Sequence, residues 1–555
     1  MEERDEQTQK RAERICREWE TLKSNRGQWE GHWNDVATYV APRKAGIFEA
    51  PTVGGKRMTR VYDSTAIQSC SKFASGLYGN LCPPDQRWFE LRAPAPDLEV
   101  AEEQRHWYSE ATRILHEELA ISNFGLSIHE DFKDLGWCGT GGMTVEEGDP
   151  GKPTLRFRTM HIRQYIPIEN AQVQIDRAFR LLSFTASQAI DEFGEMNLHP
   201  EITGSQADPQ KASRRWQFIH LVEPRRDRNE EKRDDQNMPY ASYYVDVKHK
   251  TLIEEGGYEE MPIICHRLDC EEPTEVYGRS PAMQVLPEIK VLNRMVRASL
   301  LAEEKRADPP LDVPEGNYPF GLRTGPGGIN YYRDFAKGRV TPMEISGSVE
   351  TILKMKEQRR QRIKEAFFLD LFLLLDQLDQ NQKTATEILE RVKEKLLILG
   401  PMLGRLQSEL FNPLIDRCIG ILFRAGKLPP VPEGVAFYEI EYVSQLALAM
   451  RMIEVSAVTQ TIAQVQPFIE MNPDVMDNFD DDAIVRGVYE RMGGNPKWLR
   501  DTDARAEIRK QRLEQQQAMQ ALEAGGQAAD MLPKAGKKAE EGSPLAEMMK
   551  VAGGL

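Results

Sequence analysis

Ser280-Pro-Ala-Met-Gln-Val-Leu-Pro-Glu-Ile-Lys-Val-Leu-Asn-Arg-Met-Val-Arg-Ala-Ser-Leu-Leu-Ala-Glu-Glu-Lys-Arg306 is the first of two long helical runs on which the chain is organised. Ser280 is a good N-cap and Pro281 suits the first helical position. Val285, Ile289, Leu292 and Val296 recur at helical spacing on one face. Pro287 predicts a kink at the start. The second run is Val349–Leu375. At 1.5 Å per residue, roughly 25 residues give each run about 37 Å. Between them, residues 307–347 are rich in turn formers: Pro309, Pro310, Pro314, Pro319, Pro326 and Pro342, with Gly316, Gly321, Gly325, Gly327 and Gly328. This is a compact irregular module on the ends of two long helices. A polar loop follows: Gln377, Leu378, Asp379, Gln380, Asn381, Gln382 and Lys383. Thr384-Ala-Thr-Glu387 then has the form of a capping box that starts another helix.

The chain has 555 residues, 40% hydrophobic and 29% charged, with a net charge of −15. That is a globular composition of about three or four domains. The acidic balance argues against generic affinity for nucleic acid. Seven cysteines without a CxxC pattern point to free thiols in a reducing compartment. The charged N-terminus is not a signal peptide, and the most apolar run, Ala366–Leu375, is too short to span a bilayer. No membrane partner is expected.

Residues 1–24 read as a charged helix and Trp29–Pro42 as a core helix. Ser64 caps a helix carrying Ile67, Cys70, Ala74, Leu77 and Leu81. Helices follow at 100–120 and 126–137. From about 143 to 270 the period changes to two, giving strands at Leu155–Arg158, Phe179–Phe184, Trp216–Val222, Tyr243–Val247 and Ile263–Leu268. Residues 225–235 read as a solvated loop. A helix runs from Glu387 to Leu399, broken or restarted at Gly400-Pro401 and kinked at Asn412-Pro413. Residues 444–470 and 481–520 are further helices, and the tail from 523 is mobile or ordered only by a partner. The fold class is α+β, predominantly helical.

No catalytic constellation emerges. The nine histidines show no HExxH, Gly139-Thr-Gly-Gly142 reads as a turn, and Gly54-Gly55-Lys56 lacks phosphate-loop spacing. Neither an enzyme, a metal nor a cofactor is expected. Asp480-Asp481-Asp482 suits a helix start. One charged run stands out: Lys354, Lys356, Arg359, Arg360, Arg362 and Lys364, against Glu357. It goes nearly all the way round a helix. It reads either as a solvated or inter-subunit salt-bridging helix or as a contact for a polyanion.

Taken together these stretches resemble the head-to-tail connector, or portal, proteins of T7-type short-tailed phages. The resemblance is carried by Trp29–Pro42 and by Asp63-Ser-Thr-Ala66, Ser75-Gly76-Leu77, Pro83-Pro84 and Trp88-Phe89. It continues through Tyr277-Gly278-Arg279-Ser280-Pro281, Thr384–Ile388, Arg391, Arg405, Glu409 and Pro413. Order and spacing over residues 10–500, rather than any one motif, make the match.

The resemblance implies a portal fold assembled as a ring, usually of twelve, at one capsid vertex. Residues 1–280 would be the wing, 281–306 and 348–375 the stem helices, and 307–347 the clip. Residues 376–383 would be the channel (tunnel) loop, 384–443 a long kinked wing helix, 444–522 a helical crown, and 523–555 the tail. The six basic residues would line a DNA channel. Implied partners are double-stranded DNA without sequence readout, the major capsid and scaffolding proteins, a packaging ATPase (terminase) and a tail adaptor. Internal core proteins at the crown are implied too. The protein would reside in the virion, and in the host cytoplasm during assembly. The acidic balance fits: each neutralised phosphate adds affinity, so a uniformly basic bore would hold DNA rather than pass it. The alternatives are a virion adaptor ring that conducts nothing, and a nucleic-acid-processing enzyme, against which the missing Walker lysine argues.

Overall fold

The computed structural model describes most of residues 2–372 and 399–443 and parts of 455–517; the longest stretches outside it are 373–398, 444–454 and 518–555. Residues 1–450 and 451–555 form separate compact units.

The N-terminal charged run forms α1 (Glu2–Asn25), and α2 is Gly27–Val40. α1 is not the purely solvated helix its charge suggests. Ala12, Ile15, Cys16 and Trp19 lie at i, i+3, i+4 and i+7 and are buried against Phe179, Ile219, Leu221 and Val245. Between the two helices, Arg26 is buried. It pairs with Glu30 at 2.8 Å and donates to the carbonyls of Ile162, Arg163 and Tyr165. Helices α3 (Thr65–Leu81), α4 (Glu102–Ile121) and α5 (Phe124–Cys138) supply the main core, with Phe73, Phe132 and Trp137 fully buried. Ser64 makes no side-chain cap to α3; instead Asp63 Oδ1 accepts from Thr65 N at 2.9 Å.

The strands are β1 (Phe89–Arg92), β2 (Thr140–Glu147), β3 (Leu155–Thr159), β4 (Tyr165–Glu169), β5 (Ile175–Thr185), β6 (Arg215–Pro224), β7 (Tyr240–Asp246), β8 (Thr251–Tyr258) and β9 (Ile263–Arg267). β4 to β8 form a five-stranded antiparallel meander, while β3-β2-β9 form a smaller antiparallel sheet. The period of two is visible in β6. Ile219 and Leu221 meet α1, whereas Trp216 and Phe218 meet the small helices α6 (Ala186–Phe193) and α7 (Pro200–Gln206).

Gly139-Thr-Gly-Gly142 is not a free turn. Thr140 to Gly142 open the central, buried strand of the smaller sheet. The glycines are there for space: a Cβ on Gly141 would stand 2.3 Å from His266 Nε2. His266 and Asp131, both fully buried, face each other at 2.7 Å beside it.

The first long run divides into α8 (Pro281–Gln284) and α9 (Leu286–Ala307). Ser280 Oγ accepts from Met283 N at 3.1 Å and donates to Trp137 O at 2.9 Å, so the cap also ties the run to the core. Val285 separates the helices and Pro287 sits in the first turn of α9. The second run forms α10 (Val349–Ala366) and does not continue unbroken to Leu375. Phe367 and Phe368 interrupt it, with Phe368 at φ 56°, and residues 369–372 turn helical again. A left-handed bulky residue costs about 1–2 kcal/mol. The break places Phe367 and Phe372 against Phe73, both with ring centroids at 6.2 Å, and Phe372 over Gly76.

In residues 307–347 the described part holds a short antiparallel pair, β10 (Leu311–Asp312) and β11 (Thr341–Pro342). Buried Asn317 exchanges hydrogen bonds with the backbone of Asp334. The loop Gln377–Lys383 and the capping box at Thr384 lie outside the described residues. Residues 399–406 are helical through Gly400-Pro401, and the run from Glu387 that leads to them lies outside the described residues. Gln407–Phe411 widen into a π turn before α11 (Asn412–Arg424). Pro413 has no N–H for the carbonyl of Glu409, and the wider turn absorbs that loss. The 384–443 range is not helix throughout. α11 ends at Arg424, and β12 (Glu439–Tyr442) pairs with β1.

In the C-terminal unit, α12 (Asp481–Arg491) begins where Asp480 Oδ1 accepts from the N–H groups of Asp482 and Ala483. Asp482 pairs with Arg505 at 3.0 Å and Arg509 at 2.6 Å. All seven cysteines are free thiols, six of them buried. Among the described residues no helix is long and apolar enough to cross a membrane.

Gly141→Ala forces a methyl into the His266–Asp131 contact. It should destabilise the N-terminal unit by about 1–3 kcal/mol, read from urea unfolding of the purified chain.

Candidate functional site

The two long helices α9 and α10 pack side by side, and the basic run lies on α10. The structure shows what most of its charges do. Arg359 and Arg362 both pair with Glu288 in the first turn of α9, the latter at 3.2 Å. Arg360 pairs with Asp63 at 2.9 Å and with Glu357 at 3.4 Å. Lys364 stands 3.9 Å from Glu357. Lys356 is buried and Lys354 is exposed. The side chain of Arg362 is 65% exposed, against 24% for Arg359. The run is therefore first a set of ion pairs within the chain, holding α10 to α9 and to the segment before α3.

That segment is a strap. Asn293, on the buried face of α9, accepts from Tyr62 N at 2.6 Å and from Asp63 N, and donates to Arg60 O at 2.8 Å. Arg297 lies over the Tyr62 ring at 5.6 Å. Residues 60–63 thus cross both helices, fixed to α9 by Asn293 and to α10 by Arg360. Burial, the largest single influence on the Asp63 carboxyl, pushes its pKa up. Hydrogen bonds from Thr65 and the Arg360 guanidinium together outweigh it, so Asp63 titrates below the usual carboxylate range. The basic run was legible in the sequence, but its partners were not. Glu288 is 71 residues from Arg359, and Asp63 is 297 from Arg360.

Toward their far ends the helices carry exposed apolar side chains: Leu300 and Leu301 on α9, Ile352, Leu353 and Met355 on α10. These side chains are apolar surface that the subunit does not cover. Elsewhere in this unit, a cleft of about 530 Å³ beside Arg267 is lined by Glu271, Glu272, Glu275, Arg405 and Glu409. Its carboxylates outnumber its guanidinium groups, which makes it a poor seat for a phosphate backbone.

Residues 12–499 match the model of the family described as bacteriophage head to tail connecting protein. The chain belongs to that family. It is 30% identical over 539 residues to the "Probable portal protein" of Bordetella phage BPP-1, covering 96% of both chains. It is 28% identical over 528 residues to the "Portal protein" of Salmonella phage epsilon15, covering 93% of this chain and 94% of that one. A chain solved in the "Virion of native gene transfer agent (GTA) particle" aligns at a TM-score of 0.34 and 11% identity, over 77% of this chain and 93% of that one. At that score the likeness carries no argument. Head-to-tail connection in a phage particle is the function this membership gives.

The folded pKa of Asp63 is depressed, so the stability it contributes is present above the ordinary carboxylate value of about 3.9 and is lost as pH falls through its lower folded value. Asp63→Asn should lower the melting temperature at neutral pH and flatten its fall below about pH 4. Thermal melts of wild type and variant across pH 2–7 check this.

Proposed function

We propose that copies of this chain close into a ring, most simply of twelve, whose bore passes double-stranded DNA into and out of the capsid at one vertex. In this reading residues 1–280 form the wing, α8–α9 and 348–375 the stem, 307–347 the clip, 376–383 the channel loop, 384–443 an outer wing segment and 444–522 the crown. The observation that carries it is the family match across residues 12–499. The paired helices with exposed apolar ends support it, since twelve such pairs side by side would cover those ends.

The protein acts as a structural conduit and docking platform, not as an enzyme. The force for packaging then comes from a separate ATPase docked on the clip, and a tail adaptor takes that place afterwards. Capsid and scaffolding proteins surround the wing during assembly in the host cytoplasm. DNA passes by its backbone alone, so no base readout is needed.

The ion pairs narrow the role of the basic run. Arg359 and Arg360 are held in ion pairs to Glu288 and Asp63 and Lys356 is buried, so the more exposed Lys354, Arg362 and Lys364 are the groups best placed to reach phosphate. The loop Gln377–Lys383 stays in this reading as the part of the bore that lets DNA slide and then retains it, through exchangeable amide contacts and the single charge of Lys383.

Native mass spectrometry of the purified chain at micromolar concentration should show a closed ring, and electron-microscopy class averages a bore wider than the roughly 20 Å of B-form DNA. Monomers and dimers alone would sink the proposal. In packaging assays, Arg362→Ala with Lys364→Ala should leave rings intact and change DNA retention, whereas Arg359→Ala should weaken the folded subunit itself. Shortening 377–383 by three residues should yield rings whose capsids lose DNA; undiminished retention would make the loop a mere connector.

A further inference from the structure

Beside the β7–β8 turn of the five-stranded sheet stand three side chains that a DNA conduit does not use. His199 caps the start of α7, where its carbonyl accepts from Ile202 N at 2.8 Å. Glu201 lies in the first turn of α7. His249 sits in the tight connection between β7 and β8. One donor atom from each lies within 4.8 Å of the other two. We propose that His199, Glu201 and His249 form a binding site for a borderline divalent cation of the zinc class, which pins α7 to the β7–β8 hairpin.

The support behind His249 is the strongest part of the case. Its Nδ1 lies 2.5 Å from Oδ2 of Asp246, whose side chain is 2% exposed. Asp246 is itself held, because its Oδ1 accepts from Lys248 N at 2.9 Å. A ring nitrogen anchored to a fixed carboxylate leaves Nε2 oriented outward, which is the arrangement found behind metal-binding imidazoles. That Nε2 stands 3.0 Å from Glu201 Oε2. The His199 ring lies against the His249 ring, centroids 3.7 Å apart and 10° from parallel, and its Nδ1 accepts from Glu201 N at 3.2 Å. Two imidazoles and a carboxylate suit zinc better than calcium or magnesium, which prefer oxygen alone. Tetrahedral bonds of about 2.0–2.2 Å need donors roughly 3.5 Å apart; His249 Nε2 and Glu201 Oε2, at 3.0 Å, are already near that spacing, and His199 must turn to complete the set. His199 and Glu201 are exposed and can turn.

The competitor is also on the page. Lys248 Nζ lies 2.5 Å from Glu201 Oε2, and Arg214 stands 3.7 Å from Oε1. Both cations also sit over the Trp216 ring, Lys248 at 5.2 Å and Arg214 at 4.4 Å. A divalent cation must displace the ammonium from Glu201, and the Trp216 face is where the ammonium remains. This gives the proposal a sign that a plain ion-pair cluster does not share: removing Lys248 should tighten the site.

The test uses the full chain, stripped with a chelator and titrated with zinc ion alone by calorimetry, with metal analysis after dialysis. One equivalent per chain is expected. His199→Ala and His249→Ala should each abolish it, Asp246→Asn should weaken it about 10- to 100-fold, and Lys248→Ala should strengthen it. His199→Ala removes the acceptor of Glu201 N, so its zinc-free melting temperature should fall only by the worth of one helix cap, and the exposed position leaves this variant folded and decisive if the His249 variant unfolds. No uptake by wild type, equal uptake by wild type and His199→Ala, or weaker binding by Lys248→Ala would overturn the proposal. Circular rings with and without zinc separate this outcome from the connector reading, which does not require the site.

Discussion

Arg267 is the side chain on which the N-terminal unit closes. It is 3% exposed, at the end of β9, and it reaches Glu409 in the π turn at 2.7 Å and Glu169 at the end of β4. Its backbone N–H also donates to Glu409 at 2.9 Å. Burial alone would lower the guanidinium pKa, but the two carboxylates hold it raised and charged. Three segments far apart in the chain thus share one buried charge. Breaking such a pair strands the remaining partner, at about 3–5 kcal/mol. The π turn is explained by the same contact: Pro413 demands a local widening, and Glu409 within it is the residue Arg267 needs.

From that closure the long helices take their place. β9 pairs with β2, β2 lies beside α5, and α5 carries Trp137, whose carbonyl receives the Ser280 hydroxyl at the head of α8. Asn293 and Arg360 then fix the 60–63 strap across α9 and α10. The far ends of both helices project apolar side chains that the subunit itself does not cover. The near end is tied to the core by hydrogen bonds and ion pairs, while the far end leaves apolar side chains exposed.

The break at Phe368 belongs to the same economy. The stretch Phe367–Phe372 is apolar enough to continue as helix, yet Phe73 and Gly76 on α3 offer a place for two aromatic rings that a straight helix would not reach. Packing over α3 offsets the left-handed backbone. The strained residue stands just before the segment that leads into the polar loop, so the direction in which the chain leaves α10 is set by the core of the subunit.

The sequence by itself determined the periodic elements and their order: two long helical runs, the turn-rich module between them, the change to period two, and the serine–proline start of α8. It also carried the family, because order and spacing over most of the chain survive where individual residues do not. Tertiary structure decided the rest, for identifiable reasons. Thr140–Gly142 read as a turn because glycine is locally permissive, and only His266 and Tyr165 show that the missing side chains make room in a buried strand. The charge of α1 concealed its apolar stripe until the sheet lay against it. The basic run looked like one surface, but Glu288 and Asp63, distant in sequence, draw Arg359, Arg360 and Arg362 into ion pairs within the chain. His199, Glu201 and His249 carry no motif, since they are brought together by the turn of a hairpin and the first turn of a helix. Local spacing fixes what a segment can become; which charges meet and which glycines are crowded follows from long-range packing, which spacing does not encode.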